Sequence, residues 1–428
     1  MLKDFLISFA LRSLLFPFRF LSYHSIGRCG KSLGLLCYYL IPSYRKRALS
    51  NLSIAKDLHL TNKEIKRFAK ESFQNLLITC LEYPKLKFSK NLHKYIICEN
   101  PEKAMKILSS GHGIIFFCGH QANWEVLFLD GTTRMPGIAI GRPIKNPFLY
   151  NWVVSIRERF GGKIVPPQKA LKEGLRALKK GSFIGIVGDQ GMPGSNYHST
   201  FLGAKAWTST APALLSYKTN SPIIVATTRR KEGKYIIHYS DPIWPNLDES
   251  LDQQIPKLMS QSLLLFEESI KNEPGQWLWQ HNRWKQEIAD RVYYRFRFET
   301  LLILLPENKN DLAHLIDGVK SFREIYPSAF ITIFYHESYK DIDLIDESEK
   351  RIYKNHEELF LDSYLHKLVF NFTGDLRLKK HFLNKSAFKV LSVEDLKKEA
   401  ELNLGSYHTC EFKELLQNAL LRRTSIRS

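Results

Sequence analysis

Between residues 114 and 239 the chain carries six short apolar runs: IIFFC (114–118), GIAI (137–140), KIV (163–165), FIGIV (183–187), PIIVATT (222–228) and YIIHY (235–239). Most of them are separated by stretches of helical composition. Runs this short and this continuously apolar are strands buried on both faces. Strands that alternate with helices join into a largely parallel sheet covered by those helices, so the expected fold class is α/β. Ahead of the first run, Thr61 and Glu64 form a T-x-x-E capping box opening a helix with apolar Ile65, Phe68, Leu76, Leu77 and Leu81, and Pro84 is expected to close it. Ligand sites in such sheets collect at the carboxyl ends of strands, which directs the search for chemistry there.

The run IIFFC ends in Gly119-His120, and the helix that follows carries Glu125, giving H-x-x-x-x-E. A His in the loop and a carboxylate one turn into the helix can hydrogen-bond. The other imidazole nitrogen is then free to take a proton from a hydroxyl. A second match, His336 and Asp341, lies in FYHESYKD without any further motif behind it. H-E-x-x-H does not occur, which sets aside zinc hydrolases, and the one G-x-S-x-G, Gly30 to Gly34, precedes the strand–helix alternation that a nucleophile elbow needs, which sets aside that class of hydrolase. The six cysteines, at 29, 37, 80, 98, 118 and 410, form no C-x-x-C pair, so neither a disulfide framework nor a metal knuckle is expected. Proton transfer of this kind calls for no cofactor and no metal.

Charge divides the chain. Residues 1–298 hold 43 Lys and Arg against 22 Asp and Glu, whereas the last 130 residues hold 19 against 21. The anionic partner therefore belongs to the earlier part. Residues 5–21, FLISFALRSLLFPFRFL, are interrupted by Arg12, Pro17 and Arg19, and no apolar run reaches the roughly 20 residues of a spanning helix. Arg12 and Arg19 are two helical turns apart, a pattern expected of a membrane helix lying at the interface. A second apolar stretch, Leu33 to Ile41, is followed by Arg45, Lys46 and Arg47. Basic residues beside an apolar anchor favour an anionic cytoplasmic leaflet. The domains expected are a membrane-anchoring segment, 1–45, a catalytic domain, 46–298, and an accessory α/β domain, 299–428.

The segments GHGIIFFCGHQANWE, GRPIKNP, FIGIVGDQG and PGQWLWQHNRWK, in that order, resemble the late lipid A biosynthesis acyltransferases, a lysophospholipid-acyltransferase-like family of lauroyl and myristoyl transferases. The resemblance covers about residues 1–290 and includes the apolar N-terminus and RKRALSNL. It implies a glycerol-phosphate-acyltransferase-like fold at the cytoplasmic face of the inner membrane. The implied reaction moves an acyl chain from an acyl carrier protein thioester to the hydroxyl of a hydroxyacyl chain on a lipid A precursor. Carried over by motif, His120 is the general base, Glu125 the carboxylate orienting it, Arg157 the third polar site residue and Asp189 the fourth, with Arg159 as an alternative to Arg157. Arg142, Lys145 and Asn146 of GRPIKNP, Arg159, and Gln190 beside Asp189 are the implied substrate-binding residues. The cations among them suit phosphates or a phosphopantetheine arm. The chain departs from the family at Gly191, where many relatives carry a second acidic residue.

Aromatics and cations alternate in WLWQHNRWK, from Trp277 to Lys285. Nucleic-acid stacking is one reading of that interleaving, and a packed element end at the membrane interface is the preferred one. The extension from Glu299 opens strand, helix, strand, as one βαβ unit, and is faintly similar to the start of a heptosyltransferase-type domain. It lacks a glycine-rich phosphate loop and is expected to be non-catalytic. The competing functions are an acyltransferase acting on another membrane glycolipid or a lysophospholipid, and, outside enzymes, a basic nucleic-acid-binding protein. A nucleic-acid binder would account for the charge but not for the apolar N-terminus or for a His at a strand end, so no nucleic-acid partner is expected.

Overall fold

The computed structural model describes residues 1–89, 91–288, 291–339, 345, 348–405 and 411–422. Asp341 and Cys410 lie outside the described residues. The chain divides into two compact units, residues 1–41 with 66–283 and residues 42–65 with 284–428. The second unit thus starts before the charge break and takes in a piece of the N-terminal region.

The first unit opens with helix α1 (Leu2–Leu15), a single 3₁₀ turn containing Pro17, and helix α2 (Tyr23–Leu40). Helix α1 has 14 residues, and among the described residues no helix is long and apolar enough to cross a membrane. The N-terminal membrane helix expected from the sequence is therefore not supported as a span. Arg12 and Arg19 do not share one helical face either, because the proline ends the α-helical repeat between them. Arg19 instead sits 4.0 Å over the ring of Phe88. Helix α3 (Pro42–Ile54) belongs to the second unit, and the division falls within α4 (Asn62–Phe88). The capping box forms as expected: the Thr61 amide donates to Glu64 Oε2 at 3.0 Å and the Glu64 amide donates to Thr61 Oγ1 at 3.3 Å. Pro84 does not close α4, which runs one more turn to Phe88. Buried Leu81 and Leu86 on either side hold that last turn against the core, which offsets the one hydrogen bond a proline forfeits.

The first unit's sheet comprises β1 (Ile96–Cys98), β2 (Ile114–Cys118), β3 (Gly137–Ile140), β4 (Lys163–Val165), β5 (Phe183–Val187), β8 (Ile223–Lys231) and β9 (Lys234–Tyr239). Strands β6 (His198–Phe201) and β7 (Ala204–Trp207) form a separate antiparallel hairpin. The order across the sheet is β1-β9-β8-β2-β5-β3-β4, with only the β8/β9 pair antiparallel. All six expected strands are present, and the sheet is mixed α/β as composition required. Strand β2 lies at the centre with every residue buried. The helices between strands are α5 (Glu102–Ser109), α6 (Glu125–Arg134), α7 (Pro147–Arg157), α8 (Ala170–Lys179), α9 (Ala211–Thr219) and α10 (Leu251–Asn272).

The second unit is built on five parallel strands, β10 (Thr300–Leu304), β11 (Phe330–His336), β12 (Glu349–Tyr353), β13 (Leu368–Asn371) and β14 (Lys389–Leu391), in the order β12-β11-β10-β13-β14. Its helices are α11 (Lys309–Ala313), α12 (Ile316–Lys320), α13 (Phe322–Ile325), α14 (Leu376–Asn384), α15 (Val393–Leu404) and α16 (Phe412–Leu420). Leu301 and Ile303 enter one apolar cluster while Leu302 and Leu304 enter another, so alternate residues of β10 feed cores on opposite faces. The single βαβ unit read from the sequence is the beginning of this doubly covered sheet. Helix α3 is tied into the same unit by polar bonds: Lys46 Nζ donates to the Ala387 carbonyl at 2.7 Å, Ser50 Oγ to that of Leu365 at 2.5 Å, and Lys367 Nζ to Asn51 Oδ1 at 3.2 Å. Lys367 also forms a buried ion pair with Glu299.

Candidate active site

Strand β2 delivers the chain to Gly119, where a Cβ would lie 2.0 Å from the Phe266 ring and 2.8 Å from Asp189 Oδ2. Only glycine lets the turn pass this close, and His120 follows at once. The turn is held from both sides. Ala122, at φ 47°, takes a left-handed conformation that costs a residue with a Cβ energy. Its amide donates to the Gln276 carbonyl at 2.7 Å, and its own carbonyl accepts from Asn75 Nδ2 and Thr79 Oγ1 of α4, each at 3.0 Å.

The imidazole of His120 is oriented by Asp189, which follows the end of β5, the strand beside β2. Its Nδ1 lies 2.8 Å from Asp189 Oδ1, and the His120 amide donates to Oδ2 at 2.7 Å. Trp277 Nε1 donates to the same Oδ2 at 2.7 Å. The carboxylate is fully buried, which by itself would raise its pKa. The His120 imidazole, these hydrogen bonds and His281 beyond outweigh burial and hold it well below the usual carboxylate range. An ionised acceptor at Nδ1 requires that nitrogen to carry the proton, which leaves Nε2 with its lone pair. His281, its ring 5.5 Å from that of His120, is kept neutral by burial, which pulls its pKa down to about 4.

The expected pairing of His120 with Glu125 is thereby corrected. Glu125 opens α6 and takes its hydrogen bonds from Arg157, at the end of α7, while the His120 charge still acts on it. Arg157 donates through Nε at 2.7 Å and Nη2 at 2.5 Å, and Tyr83 of α4 adds its hydroxyl at 2.7 Å. A guanidinium offers a carboxylate two parallel donors and a fixed positive charge, which a neutral imidazole cannot match. Burial pushes the Glu125 carboxyl up, but the charge and bonds of Arg157 bring it below its ordinary value. Tyr83 is driven up by burial and by Glu125, and stays a donor.

Three of these groups, His120, Glu125 and Arg157, line a cavity of about 370 Å³, together with Trp124, Arg142 and Gln190. The remaining wall is apolar, with Phe116, Phe128, Ala139 and Phe183 among its residues. Gly185, in the middle of β5, also lines it and puts no side chain into the space. The arrangement sets a proton acceptor in the wall of a largely apolar cavity that suits hydrocarbon.

Of the implied substrate-binding residues, Arg142 and Gln190 line this cavity. Asn146 does not. It caps α7, accepting from the Leu149 amide at 3.0 Å and donating to the Asp4 carbonyl at 2.7 Å. Lys145 is exposed and outside the lining. Arg159 turns to the Leu86 carbonyl at 2.8 Å, whereas Arg157 lines the cavity and bonds Glu125. A Cβ at Gly191 would lie 2.3 Å from the Arg283 carbonyl, so a second acid has no room there. His336 ends β11 in the second unit, 2.9 Å from the Ser338 hydroxyl. Among the described residues no three His, Cys, Asp or Glu side chains are gathered as metal ligands.

The segment WLWQHNRWK is packed, as the preferred reading has it, and offers no exposed stacking platform. Trp277, Trp279, Arg283 and Trp284 are all buried. Arg283 donates to the Trp207 carbonyl at 2.7 Å and to Thr208 Oγ1 at 2.9 Å. Burial lowers its pKa to about 10. Trp277 and Tyr83 are site residues that the sequence reading did not identify. The only signal for Trp277 was its place in a motif, and for Tyr83 its place one turn before the end of a buried helix.

A family model described as bacterial lipid A biosynthesis acyltransferase matches residues 1–286, which hold every residue of this constellation. No curated protein matches the chain.

Proposed function

The chain belongs to the bacterial lipid A biosynthesis acyltransferase family, and from that premise we propose that it moves a fatty acyl chain from the thioester of an acyl carrier protein to the hydroxyl of a hydroxyacyl chain on a lipid A precursor. The observation that carries the reading is the Asp189-held His120 in the wall of a largely apolar cavity. His120 Nε2 takes the proton as the acceptor oxygen attacks the thioester carbon. The tetrahedral intermediate then expels the thiolate, which recovers that proton from the imidazolium. Asp189 stabilises the imidazolium between the two steps, and the cavity positions the chain so that attack is effectively intramolecular. The Glu125–Arg157–Tyr83 cluster fixes the wall beside the base.

The proposal extends to place. Leu2, Leu6, Phe9, Leu14, Phe16 and Phe20 are exposed along the first 20 residues, which supports contact with a lipid surface at the cytoplasmic face of the inner membrane. The test is purified protein in neutral detergent with an acyl carrier protein thioester and a lipid A precursor bearing free hydroxyacyl chains, read by mass spectrometry. The product is expected to gain one acyl mass, and the His120→Ala protein to give none. Acylation of a lysophospholipid in place of the precursor would move the acceptor to the alternative class.

A further inference from the structure

A second cavity, of about 300 Å³, lies between α1 and α7 and is lined by Phe5, Ser8, Phe9, Arg12, Lys87, Phe148, Asn151, Trp152 and Ser155. Its polar content has one sign. Arg12 and Lys87 both face it, and the charge acting on the Lys87 ammonium is that of Arg12, with no carboxylate among its influences. Burial lowers the Lys87 pKa, and the neighbouring charge of Arg12 adds to that lowering. Ser8 is 2% exposed and its hydroxyl has no hydrogen-bond partner. A helical serine ordinarily bonds back to the carbonyl one turn earlier. Here that carbonyl, of Asp4, receives the Asn146 amide at 2.7 Å. A buried hydroxyl without a partner destabilises the fold unless something else satisfies it.

We propose that this cavity is a phosphate-binding site, taking a lipid-borne phosphate monoester between Arg12 and Lys87 with the Ser8 hydroxyl donating to it. A phosphate monoester brings close to two negative charges and three acceptor oxygens, which match two cations and a hydroxyl where a carboxylate would leave one positive charge unbalanced. The surroundings are those of a headgroup: Phe5 and Phe9 at the rim are exposed by 47% and 61%. The site adjoins the chemistry. Trp152 in its wall lies 5.9 Å from the ring of Tyr83, whose hydroxyl holds Glu125. The phosphate is therefore held one aromatic pair away from the catalytic cavity. The existence of the site is independent of the acyltransfer reading; which phosphate occupies it rests on that reading.

The test begins with binding. Full-length protein in neutral maltoside micelles is titrated with dodecyl phosphate by calorimetry, with dodecanol as the uncharged control. Wild type is expected to bind the phosphate, and Arg12→Ala/Lys87→Ala to bind it at least about tenfold more weakly, the loss of two charge-assisted contacts. Ser8→Ala should weaken it by a smaller factor, and Lys3→Ala/Arg28→Ala, a loss of equal charge outside the cavity, should not change it. Equal affinity in wild type and the Arg12/Lys87 variant, with both folded by circular dichroism, overturns the proposal. The source is then separated by kinetics. If the acceptor's own phosphate occupies the site, the double variant raises KM roughly tenfold for a phosphorylated acceptor at unchanged kcat and leaves the dephosphorylated acceptor as it was. If a bilayer phospholipid occupies it, KM shifts equally for both and flotation with phosphatidic acid vesicles falls. Phosphate binding without any acyl transfer would leave this site standing and remove the proposed reaction.

Discussion

His120 and Glu125 stand five residues apart, and the two carboxylates around them have separate duties. Asp189→Asn should lower kcat about 10²- to 10⁴-fold while the melting temperature stays near wild type, because the amide fits the space but favours the wrong imidazole tautomer. Glu125→Ala should act first on stability, by about 3–5 kcal/mol, since it strands the Arg157 guanidinium, 21% exposed, beside a vacated partner. Chemical denaturation of the two variants side by side checks this; a fully stable Glu125→Ala protein would return Glu125 to the orienting role. The sequence favoured Glu125 because spacing along a chain reveals only near neighbours. Asp189 lies 69 residues from His120 and meets it only because β5 pairs with β2. His281 contributes to the pH behaviour. Its pKa of about 4 in the folded protein lies below an unfolded value of about 6.5, so the unfolded chain binds more protons between them. Stability from this residue is complete above that range and is lost as pH falls through it, by up to about 1.4 kcal/mol per unit. His366 of the second unit, held down to about 3 by burial, adds a slope of the same sign, so urea unfolding from pH 7 to 4 should show both, and His281→Gln should reduce the slope without removing it.

At the scale of elements, what could be read was what lay in one run. Strands β2 and β5 are continuous apolar pentapeptides or nearly so, and the sheet they centre follows from them. Strands β1, β6 and β7 have three or four residues each, and HSTF and AKAW mix polar with apolar in a way that no periodicity resolves. The tryptophans of residues 277–284 were ambiguous for a different reason. Aromatic-cation interleaving is the same string whether it faces lipid or core, and only burial distinguishes them. Trp277→Phe keeps the ring and deletes the donor to Asp189, so kcat should fall by about tenfold, one neutral-to-charged hydrogen bond, with KM nearly constant. A KM effect at constant kcat would mean that Trp277 acts on the cavity instead. For α1, deletion of residues 1–22 should abolish flotation with anionic vesicles, because exposed Phe9, Leu14, Phe16 and Phe20 leave with Arg12 and Arg19. Full flotation of a monodisperse truncated protein would assign membrane contact to another element.

For the whole molecule, the expected outcome of removing the extension changes once α3 is placed. Every member of the His120 constellation precedes residue 284, so a chain ending at residue 298 keeps the chemistry. It loses the carbonyls of Leu365 and Ala387 and the Lys367 ammonium that bind Lys46, Ser50 and Asn51. Such a chain should retain catalysis per folded molecule yet melt at a lower temperature or aggregate, and co-expression of residues 284–428 should restore it; differential scanning fluorimetry and size-exclusion chromatography measure both. A truncated chain that is monodisperse and melts like wild type would show that residues 42–65 need no partner. The same interleaving imposes an order on synthesis. Residues 42–65 leave the ribosome about 220 residues ahead of the strands they join, some 10–45 s at roughly 5–20 residues per second. The first unit can close in that interval, but the second cannot begin until the last strands are made, so an early segment with buried Leu49, Leu52 and Ile54 must be sheltered by a chaperone or by the bilayer until its partners emerge.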